Sequence, residues 1–439
     1  MSGVSKLVQP VAGDNSQPAA GDNSMPAAGD NSMAAFDVER VRHDFPILSQ
    51  EIYGKPLVFL DSGASAQKPR VVIDSIRECY ETYYANVHRG AHYLSQRSTD
   101  AFEEARVTIA NFINAKTENE VIFTSSVTES INLVAATWGR KFLNAGDEVI
   151  VTEMEHHANI VPWQMLEAEK GIVLKVVPIT DSGEFLVENF EPLLSERTKL
   201  VAITECSNVL GTMVPVKKVI EMAHDHGVPV LLDGAQGIVH HGVDVQELDC
   251  DFYAFTGHKL YGPSGIGVLY GKWDILNTMP PYQGGGDMIE RVSFAGTTFK
   301  EPPHRFEAGT PPIAQAIGLG AAVRYVSSLG IDNISAHEQG ILAYATEQMK
   351  NIEGLRLYGE APEKAAIMSF TVDGTHPFDV AAILDRAGVA VRVGQHCAEP
   401  LMDRLGIEGT VRASFGLYNN RADVDALVQA IEKARGMLK

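Results

Sequence analysis

The sequence predicts an α/β protein: a large domain in which helices flank a mostly parallel sheet, followed by a smaller C-terminal α+β domain. Short apolar runs at 121–123, 149–151 and 200–204 each precede an amphipathic stretch. This alternation is typical of parallel strands covered by helices on both faces. Beyond Pro311 the pattern changes to a long helical segment, 313–329, followed by short strands, one of them over 389–392, and a closing helix. The composition, 45% hydrophobic and 21% charged, is that of an ordinary globular protein.

These changes of pattern divide the chain into three parts. The pentapeptide Ala-Gly-Asp-Asn-Ser starts at Ala12 and recurs twice with a period of eight, and such a polar repeat cannot form a core. We therefore predict that residues 1–34 form a disordered tail. The other predicted parts are the large domain, 35–310, whose residues 35–50 pack with the small domain, and the small domain itself, 311–439.

Charge and cysteine content exclude several classes of protein. The formal net charge is −20, from 36 basic and 56 acidic side chains, which argues against binding to nucleic acid or to anionic lipid. The four cysteines form no CxxC pair, so neither a disulfide framework nor a structural zinc site is expected. No apolar run approaches the ~20 residues that span a bilayer, and the N-terminus lacks a secretory pattern. The sequence predicts a cytoplasmic protein with no metal, nucleic-acid or membrane partner.

Two strand-like runs end in residues that suit one particular cofactor. Lys259 closes the segment Thr-Gly-His-Lys after the run 252–255. A lysine is a nucleophile only when it is neutral or held as an imine, and pyridoxal phosphate is the main cofactor that holds it in this way. Asp233 follows the run 228–232 and would pair with the ring nitrogen, although an isolated Asp at such a position more often caps a turn. Gln236 would donate to the ring hydroxyl or to the imine.

A phosphate site is predicted where another strand meets a helix. Ser126 and Glu129 have the spacing of a capping box, which by itself indicates only a well-capped helix. With a lysine and an aspartate at neighbouring strand ends, we interpret the helix start as a phosphate cradle formed by the amides of Val127 and Thr128 and by the Thr128 hydroxyl.

Polar residues after two further strands complete the predicted cofactor site. His156 and His157 are adjacent, but successive side chains point in different directions, so we do not predict a metal site. A buried histidine with satisfied hydrogen bonds is one interpretation of His156. Given the cofactor hypothesis, we favour an aromatic cover over the ring that also serves in acid/base chemistry. Asn208 would donate a hydrogen bond to the ring oxygen.

Cys397 lies in a polar loop beside a histidine, between Gly394 and Pro400. Most isolated cysteines are small apolar filler, but this setting suits an accessible thiol whose thiolate is favoured by nearby positive charge. Arg412 lies among small and apolar residues of a strand, where an arginine needs an anionic partner. That partner is either a substrate carboxylate, bound in a bidentate manner by the guanidinium, or an acidic side chain that forms a salt bridge between domains.

Seven motifs occur together in order: LDSGASAQKP (60–69), VHRG (87–90), MEHHANIVPW (154–163), DGAQ (233–236), TGHK (256–259), RFEAGTP (305–311) and GQHCA (394–398). On these motifs, the chain resembles the fold-type I pyridoxal-phosphate enzymes and, within them, the SufS-like second group of cysteine desulfurases. The resemblance runs from about Phe45 to the C-terminus. It implies a homodimer that converts L-cysteine to L-alanine, leaves a persulfide on a cysteine, and passes the sulfur to an acceptor of the SUF system for iron–sulfur cluster assembly.

The resemblance also implies a role for each matching residue. Lys259 would be the lysine joined to pyridoxal phosphate, Cys397 would receive the sulfur, and His156 would stack on the ring. Cofactor contacts are implied for Val127, Thr128, His156, Asn208, Asp233, Gln236, Thr256, His258 and, from the other subunit, Thr310. Substrate contacts are implied for Ala64, His88, Asn208, Arg392 and Arg412, the last of which would grip the cysteine carboxylate.

The sequence departs from the family pattern at three places and leaves rival functions open. Gln395 stands where relatives often carry a second histidine, Val127 follows Ser126 where another hydroxyl is common, and the repeat tail has no counterpart. A selenocysteine lyase would share almost every residue. An aminotransferase of the same fold would need no loop cysteine and would release a keto acid. A non-catalytic scaffold is disfavoured because Lys259, Asp233 and Cys397 are intact.

Overall fold

The strands form one large mixed sheet, one smaller antiparallel sheet and three two-stranded pairs. The structure is a computed structural model that describes residues 36–438, so the predicted tail lies outside the described residues. In this range the strands are β1 Glu51–Ile52, β2 Lys55–Pro56, β3 Val58–Phe59, β4 Val121–Thr124, β5 Glu148–Thr152, β6 Val173–Val177, β7 Thr198–Thr204, β8 Val230–Asp233, β9 Phe252–Thr256, β10 Gly267–Gly271, β11 Ile289–Ser293, β12 Gly296–Phe299, β13 Leu355–Tyr358, β14 Ile367–Val372, β15 Val389–Ala390, β16 Arg392–Gly394 and β17 Thr410–Ser414.

The helices surround these sheets. They are α1 Val38–His43, α2 Arg70–Glu78, α3 Tyr93–Phe112, α4 Val127–Val134, α5 Arg140–Phe142, α6 Val161–Lys170, α7 Val187–Phe190, α8 Val216–Asp225, α9 Gly237–His240, α10 Val245–Leu248, α11 Trp273–Thr278, α12 Ile313–Leu329, α13 Ile331–Lys350, α14 Pro377–Arg386, α15 Glu399–Leu405 and α16 Arg421–Leu438. None of the helices between residues 36 and 438 is both long and apolar enough to cross a membrane.

The large sheet has the strand order β4-β10-β9-β8-β7-β5-β6. The strands from β9 to β6 pair in parallel, whereas β10 runs antiparallel to both of its neighbours. Every residue of β4, β5, β8, β9 and β10 is buried, because helices cover both faces of the sheet. The predicted α/β fold is confirmed, and the parallel strands direct their carboxyl ends to one edge.

The C-terminal part is built on the antiparallel sheet β13-β14-β17-β16. Its apolar face packs against α13, α14 and α16, which contribute Leu342, Leu384 and Leu427 to a shared core. The sequence predicts one strand over 389–392, and this is wrong. The segment divides into β15, which pairs in parallel with β3, and β16, which pairs with β17.

The N-terminal segment of the described chain contacts C-terminal elements. Arg42 of α1 donates to the Tyr418 carbonyl at 2.6 Å and to the Asp423 carboxylate at 2.8 Å. Asp61, just after β3, forms a bridge with Ser414 of β17. The division into a large and a small domain near residue 310 stays a prediction.

Candidate active site

Residues that follow the parallel strands meet at the carboxyl edge of the large sheet. The charge of Lys259, after β9, acts on the pKa of Asp233 at the end of β8 and on that of His156 after β5. The charges of Asp233 and Arg412 in turn act on the pKa of Lys259. The structure therefore brings into one electrostatic environment four side chains that lie up to 256 positions apart in sequence, from His156 to Arg412.

The pKa of the Lys259 amine lies closer to neutral pH than that of an ordinary lysine. Burial is the main cause that lowers its pKa to about 8, and Arg412 adds to this effect while Asp233 opposes it. A buried ammonium loses hydration that its partners replace only in part. With a pKa about one unit above neutral pH, about a tenth of the amine is uncharged, and this is the form that acts as a nucleophile.

Asp233 is 4% exposed and supplies a buried carboxyl to the same site. Burial raises its pKa, while Lys259 and the Ala235 N–H, which donates to Oδ1 at 3.0 Å, both lower it. Such a carboxylate favours a cationic partner at close range. Gln236 is also buried, and its Nε2 donates to the Gly63 carbonyl at 2.7 Å, which holds the side chain in a fixed orientation.

The imidazole of His156 is neutral at physiological pH. Burial, and then the positive charge of Lys259, lowers its pKa to about 4. Its Nδ1 accepts from the Ala158 N–H at 3.1 Å, so the ring proton is assigned to Nε2. A fixed, neutral aromatic ring suits the predicted position over a planar cofactor.

The turn before α4 offers amide donors. Ser126 caps the helix by accepting from the Glu129 N–H at 3.2 Å, and Glu129 accepts from the Ser125 N–H at 2.6 Å. The amides of Val127 and Thr128 belong to the first turn and have no partner within the helix. These N–H groups, together with the positive end of the helix dipole, can bind an anion.

Thr310 lines a cavity of about 290 Å³ together with Ser125, Glu129 and Gly265. The cavity therefore adjoins the start of α4 within a single chain. A contact of Thr310 with the site of a second subunit stays a prediction. The Thr256 hydroxyl donates to the Ile266 carbonyl at 3.4 Å.

His258 lies between Thr256 and Lys259. Burial, and then Lys259, lowers the pKa of its ring to about 4. Its carbonyl accepts from the Ala66 N–H at 3.0 Å and from the Lys68 amine at 3.1 Å. These bonds fix the backbone next to Lys259. The predicted phosphate contacts of Thr256 and His258 stay predictions.

Arg412 is a buried cation with an unused donor. Its side chain is 2% exposed, its Nη1 donates to the Asn208 carbonyl at 2.7 Å, and its Nη2 lies 3.4 Å from Asp61. Among residues 36–438 its Nε has no hydrogen-bond partner. Burial lowers its pKa to about 10, so the group remains charged at pH 7. A buried guanidinium with a free N–H is suited to bind a carboxylate.

Arg392 and Ala64 approach the same region. Arg392 is half-exposed and donates from Nε to Asp61 at 3.2 Å. Ala64 lies in the turn after β3, where its N–H donates to the Asp61 carbonyl at 3.0 Å. Asp61 thus contacts both arginines. Asp61 is not among the predicted site residues, although its position directly after the apolar run 57–60 is a signal of the same kind as that of Asp233.

Cys397 is the one exposed cysteine of the described chain. Its carbonyl accepts from the His157 N–H at 2.7 Å, and the side-chain amide of Asn208 donates to the neighbouring His396 carbonyl at 2.8 Å. The cysteine loop is therefore bonded to the two turns that carry His156 and Asn208. Cys79, Cys206 and Cys250 are buried, and burial raises the pKa of each thiol.

His88 contacts a different set of residues. Its φ is 69°, its Nε2 contacts Glu103 at 2.7 Å, and its ring stands edge-on to His304. With Thr99 and Gly90 it lines a cavity of about 460 Å³. Its predicted contact with substrate stays a prediction.

A second buried carboxyl near Asp233, that of Glu155, is also absent from the predicted site residues. Glu155 accepts from the Thr152 hydroxyl at 2.7 Å, the Thr204 N–H at 3.0 Å and the Asn159 amide at 2.7 Å. Burial raises its pKa to about 7, and Asp233 contributes to this rise. Its place beside His156 in the motif was the available signal, but only the fold shows that it ties β5 to β7.

Comparisons with known proteins agree on one family. The sequence profile of the family described as aminotransferase class-V matches residues 58–427. A cysteine desulfurase of Dickeya dadantii is 52% identical over 404 residues, which are 92% of this chain and 98% of the relative. A probable cysteine desulfurase of Mycobacterium leprae is 50% identical over 398 residues, which are 91% of this chain but 65% of the relative. The chain thus spans about two thirds of some relatives and nearly the whole of others.

Solved structures give the same result. The cysteine desulfurase CsdA of Escherichia coli aligns with a TM-score of 0.86 at 39% identity, covering 92% of this chain and all of that chain. A cysteine desulfurase of Thermococcus onnurineus NA1 aligns with a TM-score of 0.86 at 40% identity, covering 91% and 98%.

Proposed function

The chain belongs to the class-V aminotransferase family and, within it, to the cysteine desulfurases; from this premise we propose that it transfers the sulfur of L-cysteine to Cys397 and releases L-alanine. Pyridoxal phosphate is the cofactor of this family. The SufS-like subgroup is part of the proposal. The observation that carries it is an exposed cysteine whose loop is bonded to the turns that bear His156 and Asn208.

The residues present fit pyridoxal phosphate. Lys259 offers a buried amine of lowered pKa, and Asp233 offers a buried carboxyl that favours a cation such as a protonated ring nitrogen. The first-turn amides of α4 suit the phosphate, and the neutral ring of His156 suits the face of the pyridine. Lys259, Asp233, His156 and Thr128 would therefore hold the cofactor, with Asn208, Gln236, Thr256 and His258 around it.

Lys259 moves the substrate proton. When bound, the cofactor supplies an electron sink for the pair left after loss of the Cα proton of L-cysteine. The lowered pKa of Lys259 allows its Nζ to accept that proton near neutral pH and to return a proton afterwards. Asp233 would pair with a cationic ring nitrogen, while the low pKa of His156 prevents a second cation from forming in the site.

Arg412 orients the substrate. Its buried guanidinium, with an unpartnered Nε, would bind the α-carboxylate of L-cysteine. Asp61 offsets part of the positive charge of Arg412 and Arg392, so the site accommodates one carboxylate without an excess of cationic charge.

Cys397 receives the sulfur. Its thiolate attacks the substrate Sγ, so that an S–S bond forms while the Cβ–S bond breaks. Cβ gains a proton and becomes the methyl group of L-alanine; the substrate carbon is reduced, and the enzyme thiol is oxidised to a persulfide. L-Cysteine and one thiol thus give L-alanine and one persulfide, with no other reactant. The exposure of Cys397 then leaves the persulfide open to an acceptor protein.

The resemblance to the SufS-like group suggests the partners. We propose a sulfur acceptor of the SUF system that serves iron–sulfur cluster assembly, a homodimer in which Thr310 reaches the neighbouring site, and a cytoplasmic location.

The test is a measurement of alanine and sulfide from the cofactor-loaded protein with L-cysteine and a reductant. Wild type is expected to release both in equal amounts, and Cys397→Ala neither, since the nucleophile is absent. Cys250→Ala is the matched control, because Cys250 is a buried thiol outside the site. Alanine-free turnover of wild type to a keto acid would instead indicate an aminotransferase.

The Cys397→Ala variant also distinguishes a cysteine desulfurase from a selenocysteine lyase. Selenide leaves without a thiol nucleophile more readily than sulfide does. A lyase is indicated if Cys397→Ala still turns over L-selenocysteine and wild type turns over L-cysteine only negligibly. That combined result would refute the desulfurase function.

A further inference from the structure

The loop that carries Cys397 adopts a backbone conformation that needs external support. His396 and Cys397 have φ values of 55° and 56°, and Gly394 has a φ of 112°. Residues with a Cβ disfavour the left-handed region, and two in succession are unusual. Contacts from outside the loop must therefore hold it in place.

Two contacts hold the loop on the side that precedes the thiol. The Asn208 side-chain amide donates to the His396 carbonyl at 2.8 Å. The His396 ring Nε2 pairs with the Thr410 hydroxyl at 2.9 Å. Both contacts fix His396, and neither reaches the residues after Cys397.

His157 holds the loop at and after the thiol. Its backbone N–H donates to the Cys397 carbonyl at 2.7 Å, and its ring Nε2 accepts from the Glu399 N–H at 2.9 Å. A substitution preserves the backbone contact but removes the ring contact. The Glu399 amide is also the first of α15, so the ring of His157 satisfies a donor that has no partner inside the helix.

The ring contact fixes the tautomer of His157. An amide N–H can only donate, so Nε2 must be unprotonated and the ring proton is assigned to Nδ1. A side chain that presents an acceptor at the same reach can replace the imidazole. Glutamine provides such an acceptor in its Oε1, whereas phenylalanine keeps the size of the ring but provides none.

We propose that His157 is a positioning residue that fixes Cys397 for sulfur transfer, through the hydrogen bond from the Glu399 amide to its ring. The kinetic part of this inference rests on the proposed desulfurase function; the anchoring itself does not. His156, the cofactor-facing histidine, and His157 are neighbours in one turn, so the cofactor site and the cysteine loop share a single support.

The test compares His157→Phe and His157→Gln by hydrogen exchange of the holoenzyme and by alanine release. In His157→Phe we expect the Glu399 amide to exchange about fivefold faster or more, as for the loss of one neutral hydrogen bond. The kcat should fall, while the KM for L-cysteine stays within about twofold, because Arg412 and not the loop binds the carboxylate. His157→Gln should restore both the slow exchange and the kcat.

A matched control is His226→Phe, since His226 is exposed and its ring Nδ1 contacts the Met222 carbonyl of the preceding helix, α8. Exchange of Glu399 at the wild-type rate in His157→Phe overturns the proposal, and so does a glutamine variant as impaired as the phenylalanine one. If His157→Phe loses its cofactor absorbance, the exchange rate of the Glu399 amide in wild type is the test. An amide that exchanges there as fast as in an unstructured chain refutes the anchoring. An inactive wild type refutes the desulfurase function but leaves the exchange result valid.

Discussion

The buried ion pair between Arg106 and Glu307 supports a prediction about stability. Arg106 of α3 is 1% exposed and Glu307 is 7% exposed, and two parallel bonds of 2.7 and 2.9 Å join them. Glu307 also accepts from the Phe123 N–H of β4 at 2.7 Å. The pair therefore ties together α3, the strand before the predicted phosphate cradle, and the segment that leads to Thr310.

We expect Glu307→Gln to destabilise the protein strongly. Glutamine keeps the size but removes the charge, and it turns one acceptor into a donor that faces the donors of Arg106. Breaking a buried pair costs about 3–5 kcal/mol, and Arg106 keeps a bond to Glu103 at 2.9 Å, so the low end, about 3 kcal/mol, applies. With about 2.1 cal/mol/K of unfolding entropy per residue, the Tm falls by about 3–4 °C.

The control is an ion pair of the same type at the surface. Arg140 and Glu169 are joined at 3.0 Å with exposures of 52% and 46%. Glu169→Gln should change stability by less than about 1 kcal/mol, because solvent screens exposed charges. Thermal unfolding at one fixed cofactor concentration measures both variants. Equal shifts in Tm for the two variants would refute the argument that burial determines the cost.

The other predictions concern the candidate site. Arg412→Lys should raise the KM for L-cysteine about tenfold or more with a smaller effect on kcat, since a lysine cannot bind a carboxylate in a bidentate manner. Steady-state alanine release measures both constants, and an unchanged KM contradicts the assignment of Arg412. Because burial lowers the pKa of Lys259 to about 8, cofactor-free protein should bind pyridoxal phosphate faster as the pH rises from 7 to 9; absorbance traces that are independent of pH would contradict it. In Gly267→Ala the new Cβ would lie 2.5 Å from the Ser126 carbonyl carbon. This substitution should move the start of α4 and weaken cofactor binding about tenfold. The control Gly340→Ala, whose Cβ would meet open space, should leave cofactor binding unchanged.

Several features of the site could be predicted because they follow from local sequence. Asp233 and Lys259 each come directly after an apolar run, and the carboxyl ends of parallel strands share one edge of a sheet. The alternation of runs thus fixes which residues meet, even without the strand order. Ser126 and Glu129 form the predicted cap by contacts within four residues.

Other features depend on contacts between distant segments. Asp61 bridges Arg392 and Arg412 across more than 330 positions, and no local pattern indicates such a pairing. The strand predicted over 389–392 divides because β15 pairs with β3 and β16 with β17. Apolar periodicity marks a strand but does not specify its partner.

The sequence by itself determined the fold class and the family, and it predicted the residues that carry the chemistry, because periodicity and motif spacing are written along the chain. Only the tertiary structure decided how those residues are tuned and held. The pKa of Lys259 falls because the fold buries it beside Arg412. The left-handed residues His396 and Cys397 are hydrogen-bonded by Asn208 and His157, which follow two other strands. Desolvation and long-range hydrogen bonds arise only when the chain is folded, so no reading of neighbouring residues contains them.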